Sequence, residues 1–429
     1  MNEPHTDSAE AEQKPLWRYV PLQQFARPKP SVGETARKGF LGLFWRFRRY
    51  SDPDEDALIQ GELQRLPETL RDQVTPAPDW TILHTALDDA FHKWLKADRL
   101  KADTTADRLS VLIAMPGSGQ SEALSHWALS HEVLVLDPPA PEQLLAGADC
   151  WLDNLPQDPA IPLVVPTLDH FYLRHIEGLQ LIRQLLYWLA NWPGRCLLGC
   201  SSWAWAYLSK ALRVDTLLTN VWTLDALDSE RLQIWFSQLA KRHDKKPVNF
   251  RQTDNGFFII PPPSLDEHNT DGKSDAEIKK ELWGDWKLSN FLIDLAAYSR
   301  GNPAVAWAIW RHSLGQLSED ETEKHDLHDA AETIWVKPWQ DLRLPSLPHS
   351  AGQSELFVLH TLLLHDGMTA LLLSQLLPLS PFEIQRVLTS LGRFGIVEKI
   401  QERWQINPLA YHSVRETLDS EGFLVDNPG

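Results

Sequence analysis

The chain has 429 residues, of which 43% are hydrophobic and 23% are charged, and its formal net charge is −17. This length and apolar content predict two to four folded domains and exclude a globally disordered chain. The negative charge argues against sequence-independent binding to nucleic acid, which depends on clustered Lys and Arg.

The cysteine content and the pattern of apolar residues indicate the cellular compartment of the protein. Cys150, Cys196 and Cys200 are too few for a secreted disulfide framework. The polar, acidic first residues do not resemble a signal peptide, and no apolar run approaches the roughly 18 residues that a membrane span requires. These features predict a cytoplasmic protein.

Residues 1–50 are predicted to form an arm outside the folded domains. Residues 1–13 are polar, whereas residues 14–50 combine nine Lys and Arg with interleaved aromatic side chains and a single acid, Glu34. Arg37–Tyr50 has the composition of a short basic amphipathic helix at the inner face of an anionic membrane. Docking on an acidic protein partner is the favoured interpretation, and nucleic acid is the third alternative.

Residues 51–108 are predicted to be a helical lead-in, because Asp79–Ala102 has apolar residues spaced along one helical face. Residues 109–225 then alternate strand-like and helix-like runs, a pattern typical of a parallel α/β sheet flanked by helices. The strand candidates are Ser110–Ala114, Glu132–Asp137, Pro162–Leu168, Arg195–Cys200 and Asn220–Leu224.

The loop after the first of these strands resembles a phosphate-binding loop without its lysine. Such a loop follows G-x-x-x-x-G-K-[ST] between a strand and a helix, and residues 114–121 read AMPGSGQS. Its backbone amides can form an anion-binding nest. Lysine normally supplies the charge beside the transferred phosphate, whereas Gln120 is neutral. An ordinary strand–turn–helix connection is the alternative. The candidate nucleotide-binding residues are Gly117, Ser118, Gly119, Gln120 and Ser121.

A carboxylate ends a second apolar run, LVVPTLD, at residues 163–169. Asp169 is placed where a Mg²⁺-coordinating carboxylate is expected at the end of a strand. The next residue is His170, and because an unperturbed histidine can act as a base near neutral pH, Asp169 and His170 are the candidate catalytic pair. The alternative is that Asp169 caps the helix that follows it.

Two further regions are predicted downstream. Residues 226–315 form a helical lid, interrupted by a polar, Pro-rich insertion at 242–284 and containing Arg300-Gly301-Asn302-Pro303; residues 316–350 form a linker. Residues 351–425 have the outline of a winged-helix domain, three helices followed by a hairpin and a helix. Its predicted elements are Ser354–His365, Thr369–Leu377, Pro381–Phe394, Ile396–Lys399, Arg403–Ile406 and Pro408–Gly422.

Taken in order, the loop, the strand ending in Asp169, the lid and the winged-helix outline resemble the AAA+/STAND branch of P-loop NTPases over residues 78–425. The resemblance implies binding of ATP or ADP with Mg²⁺, and it places Ser121 and Asp169 at the metal. This chain departs from the family at Gln120 and at His170, where the family has its lysine and its water-activating glutamate.

The departures favour a regulatory or scaffolding pseudo-ATPase. Two alternatives remain open at this stage. One is an active ATP-driven switch that uses Asp169 and His170. The other is a DNA-binding regulator that uses residues 380–407, although residues 380–429 hold five basic and seven acidic side chains, a poor balance for phosphate contacts.

Overall fold

The structure is a computed structural model that describes residues 15–30, 63–96, 104–146, 149–241, 248–261, 287–317, 332–348 and 351–426. The predicted amphipathic segment Arg37–Tyr50 lies outside these ranges. Among the helices in the described ranges, none combines the length and apolar character needed to cross a membrane.

The strands, numbered in chain order, belong to two larger sheets and one hairpin. They are β1 (Tyr19–Pro21), β2 (Gln64–Arg65), β3 (Leu109–Ala114), β4 (Leu134–Val135), β5 (Leu163–Val165), β6 (Cys196–Ser201), β7 (Val221–Leu224), β8 (Val248–Gln252), β9 (Phe258–Ile260), β10 (Leu314–Gln316), β11 (Glu332–Val336), β12 (Val397–Ile400) and β13 (Arg403–Ile406).

The α-helices are likewise numbered in chain order. They are α1 (Glu68–Val74), α2 (Leu83–Lys96), α3 (Thr105–Arg108), α4 (Gln120–Ser130), α5 (Pro141–Leu145), α6 (Asp149–Leu152), α7 (Gln180–Asn191), α8 (Ser202–Leu212), α9 (Val214–Leu217), α10 (Ser229–Ala240), α11 (Phe291–Tyr298), α12 (Pro303–Ser313), α13 (Gln353–Leu364), α14 (Ala370–Leu376), α15 (Pro381–Arg393) and α16 (Tyr411–Ser420).

The central sheet has six strands in the order β1-β7-β3-β6-β5-β4. All neighbouring pairs are parallel except β1 with β7. Strand β6 is buried along its whole length, and β3 along all but its last residue. Their nearly continuous apolar sequences suit a parallel sheet that helices cover on both faces. The predicted α/β class, a mostly parallel sheet flanked by helices, is therefore confirmed.

Two features of this sheet differ from the sequence-based assignment. The first is β1, in which Tyr19 pairs with Leu224 and Pro21 with Trp222, so the assignment of all residues up to 50 to an arm is wrong for this stretch. The second is the length of β5, which ends at Val165, before Pro166. A proline cannot donate the next hydrogen bond of a ladder, so the chain turns, and Asp169 lies in a 3₁₀ turn, Leu168–His170.

A second, five-stranded sheet has the order β2-β10-β11-β8-β9. It collects short strands from the lead-in, the predicted insertion, the end of the lid and the predicted linker. The assignment of 242–284 and 316–350 to loops is therefore wrong where β8, β9 and β11 form. The side chain of Trp310 in α12 joins this sheet to the main core, because its ring lies 5.0 Å from that of Phe236 and 5.1 Å from that of Phe250.

Residues 351–426 form a C-terminal domain of three helices (α13–α15), the β12–β13 hairpin and α16. Capping explains several of these boundaries. Ser380 accepts a hydrogen bond from the Glu383 amide while the Glu383 carboxylate accepts one from the Ser380 amide, a reciprocal N-terminal cap for α15. A backbone bridge between Met368 and Trp404 ties the hairpin to the loop before α14. The stretch predicted as one last helix is a 3₁₀ turn, Pro408–Ala410, followed by α16.

Candidate functional site

The loop between β3 and α4 has the backbone of a strand–loop–helix turn. Gly117 and Gly119 adopt left-handed conformations, with φ of 75° and 65°, which glycine reaches without the steric penalty of other residues. Helix α4 begins at Gln120 directly after Gly119. The sequence-predicted residues 117–121 are therefore together at the carboxyl end of β3, the edge at which parallel sheets bind ligands.

Gln120, at the position where the P-loop pattern has lysine, is turned back into the sheet. Its side chain is 5% exposed, and its Nε2 donates a hydrogen bond to the Leu112 carbonyl at 2.7 Å. Its Oε1 is buried and lacks a hydrogen-bond partner among the described residues. An amide held in this way contributes no positive charge, and one of its donors is already occupied by the strand.

The rest of the loop is packed against two other parts of the chain. A Cβ atom added to Gly119 would lie only 1.9 Å from Cγ of Trp80, so the indole rests on the glycine. Trp80 in turn contacts Trp17 and Trp235, with ring centroids 6.4 Å away in each case. These three residues are called the tryptophan cluster below.

The N-terminus of α12 also holds the loop. Asn302 is fully buried; its Nδ2 donates to the Pro116 carbonyl at 3.0 Å, and its Oδ1 caps α12 by accepting from the Ala304 amide at 2.9 Å. The methyl group of Ala304 lies 3.1 Å from the Cβ position of Gly117. The Arg-Gly-Asn-Pro motif in the lid therefore does contact the loop, through Asn302.

Asp169, the second candidate metal ligand, is engaged elsewhere. Its carboxyl group is buried and accepts a hydrogen bond from the Ser201 amide at 2.7 Å. Burial raises the pKa of Asp169 to about 7, against the opposing effect of the Ser201 amide. Among the described residues, no hydrogen bond joins Asp169 to Ser121. The Asp169 carboxyl group, predicted to bind Mg²⁺ together with Ser121, is thus bonded to Ser201 instead.

His170 faces the C-terminal domain. Its Nε2 lies 3.3 Å from a guanidinium nitrogen of Arg403, at the start of β13. Burial and then the charge of Arg403 lower the pKa of His170 to about 4. The ring is therefore neutral at physiological pH, and its environment is a packed interface with an arginine.

The segment that follows Asp169 contacts the C-terminal domain through several hydrogen bonds. Tyr172 donates its hydroxyl proton to the Leu364 carbonyl at 3.0 Å, and the His365 Nδ1 lies 3.4 Å from the Asp169 carbonyl. Arg174 lies 2.9 Å from Nδ1 of His360. We call this contact, between residues 168–174 and residues 360–367 with Arg403, the seam.

A second anchor lies at the end of β6. The Asp426 carboxylate, which is 1% exposed, accepts from the Ser202 hydroxyl at 2.7 Å, the Tyr411 hydroxyl at 3.0 Å and Arg415 Nε at 2.8 Å. Ser202 begins α8, directly after β6. The Ser201 amide is therefore bonded to Asp169, and the Ser202 hydroxyl to Asp426.

Basic side chains gather around Asp426. Burial lowers the pKa of both Arg27 and Arg300, and the charge of Arg415 lowers each of them further, so the three guanidinium groups lie near one another. One terminal nitrogen of Arg300 is buried without a hydrogen-bond partner among the described residues. Arg300 stands two residues before Asn302, the residue that bonds to the Pro116 carbonyl of the loop.

The seam also encloses a cavity of about 380 Å³. Side chains from both sides line it, among them Asp169, His170, Tyr172, His365 and Arg403. The loop residues 114–121 do not. The cavity is therefore a feature of the interface with the C-terminal domain and is separate from the phosphate-binding-type loop.

The seam is expected to weaken in acid. Burial lowers the pKa of His360 to about 4 and that of His365 to about 3, whereas an unfolded histidine titrates near 6.5. Below pH ~6.5 the unfolded state therefore takes up more protons, and these side chains lose stability as the pH falls towards 4. Asp169 and Asp366 have the opposite sign, because burial raises the pKa of each carboxyl group, and this favours the folded state as the pH falls. The two buried histidines and the half-buried His170 outnumber these two carboxyl groups.

This prediction is checked by urea unfolding of the wild type and of His360→Gln/His365→Gln between pH 7 and pH 4. The double variant should show a flatter dependence on pH, and the exposed His126→Gln should behave like the wild type. Identical slopes for the double variant and the wild type would contradict the assignment of the pH dependence to the seam.

Comparison with known proteins finds no matching family model and no matching curated protein. Solved structures that are similar include the RuvB Holliday junction branch migration motor of Thermotoga maritima, with 13% identity, a TM-score of 0.28 and coverage of 80% of this chain and 95% of that one. The ORC2 protein of Aeropyrum pernix, described as ADPNP–ADP complexes, has 12% identity, a TM-score of 0.33 and coverage of 84% and 99%.

Cdc6p of Pyrobaculum aerophilum is similar at 10% identity, with a TM-score of 0.27 and coverage of 86% of this chain and 98% of that one. Because these TM-scores are low, the likenesses support no functional inference. The α/β class of the chain is established by its own strand order.

Sequence reasoning missed the residues that decide the state of this edge. Trp80, Asp426 and Arg403 come from the lead-in and from the C-terminal domain, far from the loop in sequence. No local pattern marks them, because each acts only through a long-range contact. The one signal in the sequence is an acid near the end of the chain, Asp426, that follows a helix carrying Arg415.

Proposed function

We propose that this chain is a regulatory or scaffolding pseudo-ATPase of the STAND/AAA+ type, in which the edge that binds nucleotide in active relatives has become a packing surface. The observation that carries the proposal is the side chain of Gln120, which is buried and hydrogen-bonded to Leu112. The engagement of Asp169 by Ser201 supports the same conclusion.

The residues present are a poor fit to Mg²⁺-ATP. A phosphate site needs positive charge in the loop and an ionised carboxylate free to orient the metal. Gln120 provides no charge, and Asp169 is a buried carboxyl group whose pKa is raised to about 7 and which already accepts a backbone hydrogen bond. No catalytic step through nucleotide or metal is therefore assigned to this chain.

We interpret the C-terminal domain as a winged helix whose role is to pack against the central α/β domain at the seam. Its contacts with residues 168–174 and with Ser202 give it an intramolecular partner. A protein partner for the basic, aromatic arm completes the scaffold, with an anionic membrane surface as the alternative. Use of residues 380–407 on DNA is the least favoured, because seven acids outnumber five bases over 380–429.

A phosphate-release assay with ATP and Mg²⁺ tests the proposal. The wild type should release no more phosphate than the buffer blank, and Asp169→Asn, which preserves an acceptor for the Ser201 amide, should not change this. Gln120→Lys should strengthen ATP binding if the loop amides form a nest, yet should not restore turnover, because Asp169 and His170 stay engaged. Turnover by the wild type that Asp169→Asn abolishes would refute the pseudo-ATPase.

A second candidate is a nucleotide-binding switch, and one observation favours it. The buried, unpartnered nitrogen of Arg300, close to Arg27 and Arg415, is positive charge that lacks an acceptor among the described residues. An anionic phosphate would supply one. If this candidate is correct, Arg300→Gln weakens ATP binding by about tenfold or more, the size of one lost charge-assisted hydrogen bond. If the pseudo-ATPase is correct, Arg300→Gln leaves ATP binding unchanged.

A further inference from the structure

A cluster of three histidines and an aspartate lies outside the edge described above. Helix α2 presents His84, Asp88 and His92 at intervals of four residues, which places them on one face of the helix. His131 stands opposite, at the C-terminal end of α4. Donor atoms of Asp88, His92 and His131 all lie within 4.8 Å of one another.

His84 lies beside this group. Its Nδ1 lies 3.5 Å from Oδ2 of Asp88, and its ring is stacked on that of His131 with centroids 5.6 Å apart. The ring of His92 lies 5.8 Å from that of His131. All four residues are half-buried, so a dissolved ion can reach them.

Hydrogen bonds hold the His131 ring in place. Its Nδ1 lies 2.9 Å from the Trp127 carbonyl, which can only accept, and 3.0 Å from the Ser130 hydroxyl, which can donate or accept. The opposite nitrogen, Nε2, faces Oδ1 of Asp88 at 3.0 Å. An imidazole nitrogen and a carboxylate oxygen, two atom types that bind zinc, therefore face each other.

His84 repeats the arrangement. The Ser130 hydroxyl lies 2.8 Å from the Trp127 carbonyl, to which it can donate, and 2.6 Å from His84 Nε2. Nδ1 of His84 is turned towards Asp88. Two imidazoles are thus oriented by backbone and hydroxyl partners so that one nitrogen of each faces the same carboxylate, an outer-sphere arrangement typical of metal-binding histidines.

Asp88 is itself held in place. Trp127 Nε1 donates to Asp88 Oδ1 at 2.7 Å. An outer-sphere donor of this kind fixes the orientation of a ligating carboxylate. A tetrahedral zinc ion with bonds of about 2.0–2.1 Å separates its ligand atoms by roughly 3.3 Å. Oδ1 of Asp88 lies 3.0 Å from His131 Nε2, close to this separation, and the donor atoms of Asp88, His92 and His131 lie within 4.8 Å of one another. His84 approaches the other carboxylate oxygen at 3.5 Å, so side-chain movement is needed to bring it in as the fourth ligand.

We propose that His84, Asp88, His92 and His131 form a site for a divalent transition metal ion, zinc in the first instance, that clamps the lead-in helix α2 to the end of α4. Imidazole and carboxylate ligands suit zinc and its neighbours in the first transition row, and they suit Ca²⁺ or Mg²⁺ poorly. The site is independent of the proposed pseudo-ATPase. Helix α4 begins at Gln120, so the ion fixes the far end of the helix that follows the loop.

The test is a zinc titration of the full-length, tag-free protein, stripped with a chelator, in competition with a chromophoric chelator. The wild type should bind one equivalent of Zn²⁺, and Co²⁺ should give the visible absorption of a four-coordinate site. His92→Ala and His131→Ala should each weaken binding by more than about 100-fold, and Trp127→Phe, which removes only the outer-sphere donor, by about 10–100-fold.

His126→Ala is the matched control, because His126 lies exposed on the same helix α4 and should leave binding unchanged. Circular dichroism of the metal-free variants establishes that they are folded. If His131→Ala does not fold, His92→Gln takes its place in the zinc titration. Absence of stoichiometric binding by the wild type, or equal affinity for the wild type and the folded cluster variants, would overturn the proposal.

Discussion

Replacing Asp426 by alanine is expected to lower the free energy of unfolding by about 3–5 kcal/mol, the range for removing one partner of a buried ion pair. The carboxylate is 1% exposed and accepts hydrogen bonds from Ser202, Tyr411 and Arg415. Its loss leaves the buried Arg415 guanidinium without its counter-charge, close to the charges of Arg27 and Arg300.

Urea unfolding measures this effect, and Asp419→Ala is the control, since Asp419 lies exposed on α16 and should change stability by about 0.5 kcal/mol or less. Adding Arg415→Met to Asp426→Ala should recover part of the loss, because it removes the orphaned charge. Equal stability of Asp426→Ala and Asp419→Ala would show that the C-terminal domain does not depend on this anchor.

Gly119→Ala is expected to destabilise the protein by about 2–4 kcal/mol, from overpacking and a left-handed backbone together. The new methyl group would lie 1.9 Å from Cγ of Trp80, and the residue has φ of 65°. Gly422→Ala isolates the backbone part, because Gly422 has φ of 77° with open space around its Cβ position.

Gly422→Ala should therefore lower stability by only about 1 kcal/mol. Trp80→Ala in the Gly119→Ala background should remove the clash while leaving the backbone strain, and the double variant should lose less than the sum of the two single losses. If Gly119→Ala and Gly422→Ala are equally mild in urea unfolding, the tryptophan cluster does not hold the loop.

The central sheet was predictable from the sequence because its signals are local. Strands β3 and β6 are nearly unbroken apolar runs, and the glycines of the loop at 117 and 119 follow β3 directly. Two helices of the C-terminal domain were predictable for the same reason. Thr369 and Ser380 are N-terminal caps that stand directly before apolar helical runs.

The second sheet and the state of the site were not predictable in this way. Strands β2, β10 and β11 have five residues or fewer. Strand β2 pairs with β10 although more than two hundred residues of chain separate them. A carboxylate that ends an apolar run is compatible with a metal site or with a buried interface, and only the long-range contacts of Asp169 with Ser201 and His365 distinguish the two. The histidine cluster likewise depends on the crossing of α2 with α4, which no local pattern encodes.

The edge of the sheet beside the loop is covered by other parts of the chain. Trp80 and Asn302 pack on the loop, and the C-terminal domain contacts residues 168–174 and Ser202. Such a covering is what the proposed pseudo-ATPase requires of an edge that does not bind nucleotide.

Isothermal titration of the purified full-length chain with ATP and with ADP, each with and without Mg²⁺, tests the pseudo-ATPase proposal most directly. We expect no Mg²⁺-dependent binding at micromolar nucleotide, because Gln120 is held by Leu112 and Asp169 by Ser201. Micromolar binding that requires Mg²⁺ and is lost in Ser121→Ala would contradict the proposal, and would show that the loop still serves as a nucleotide site.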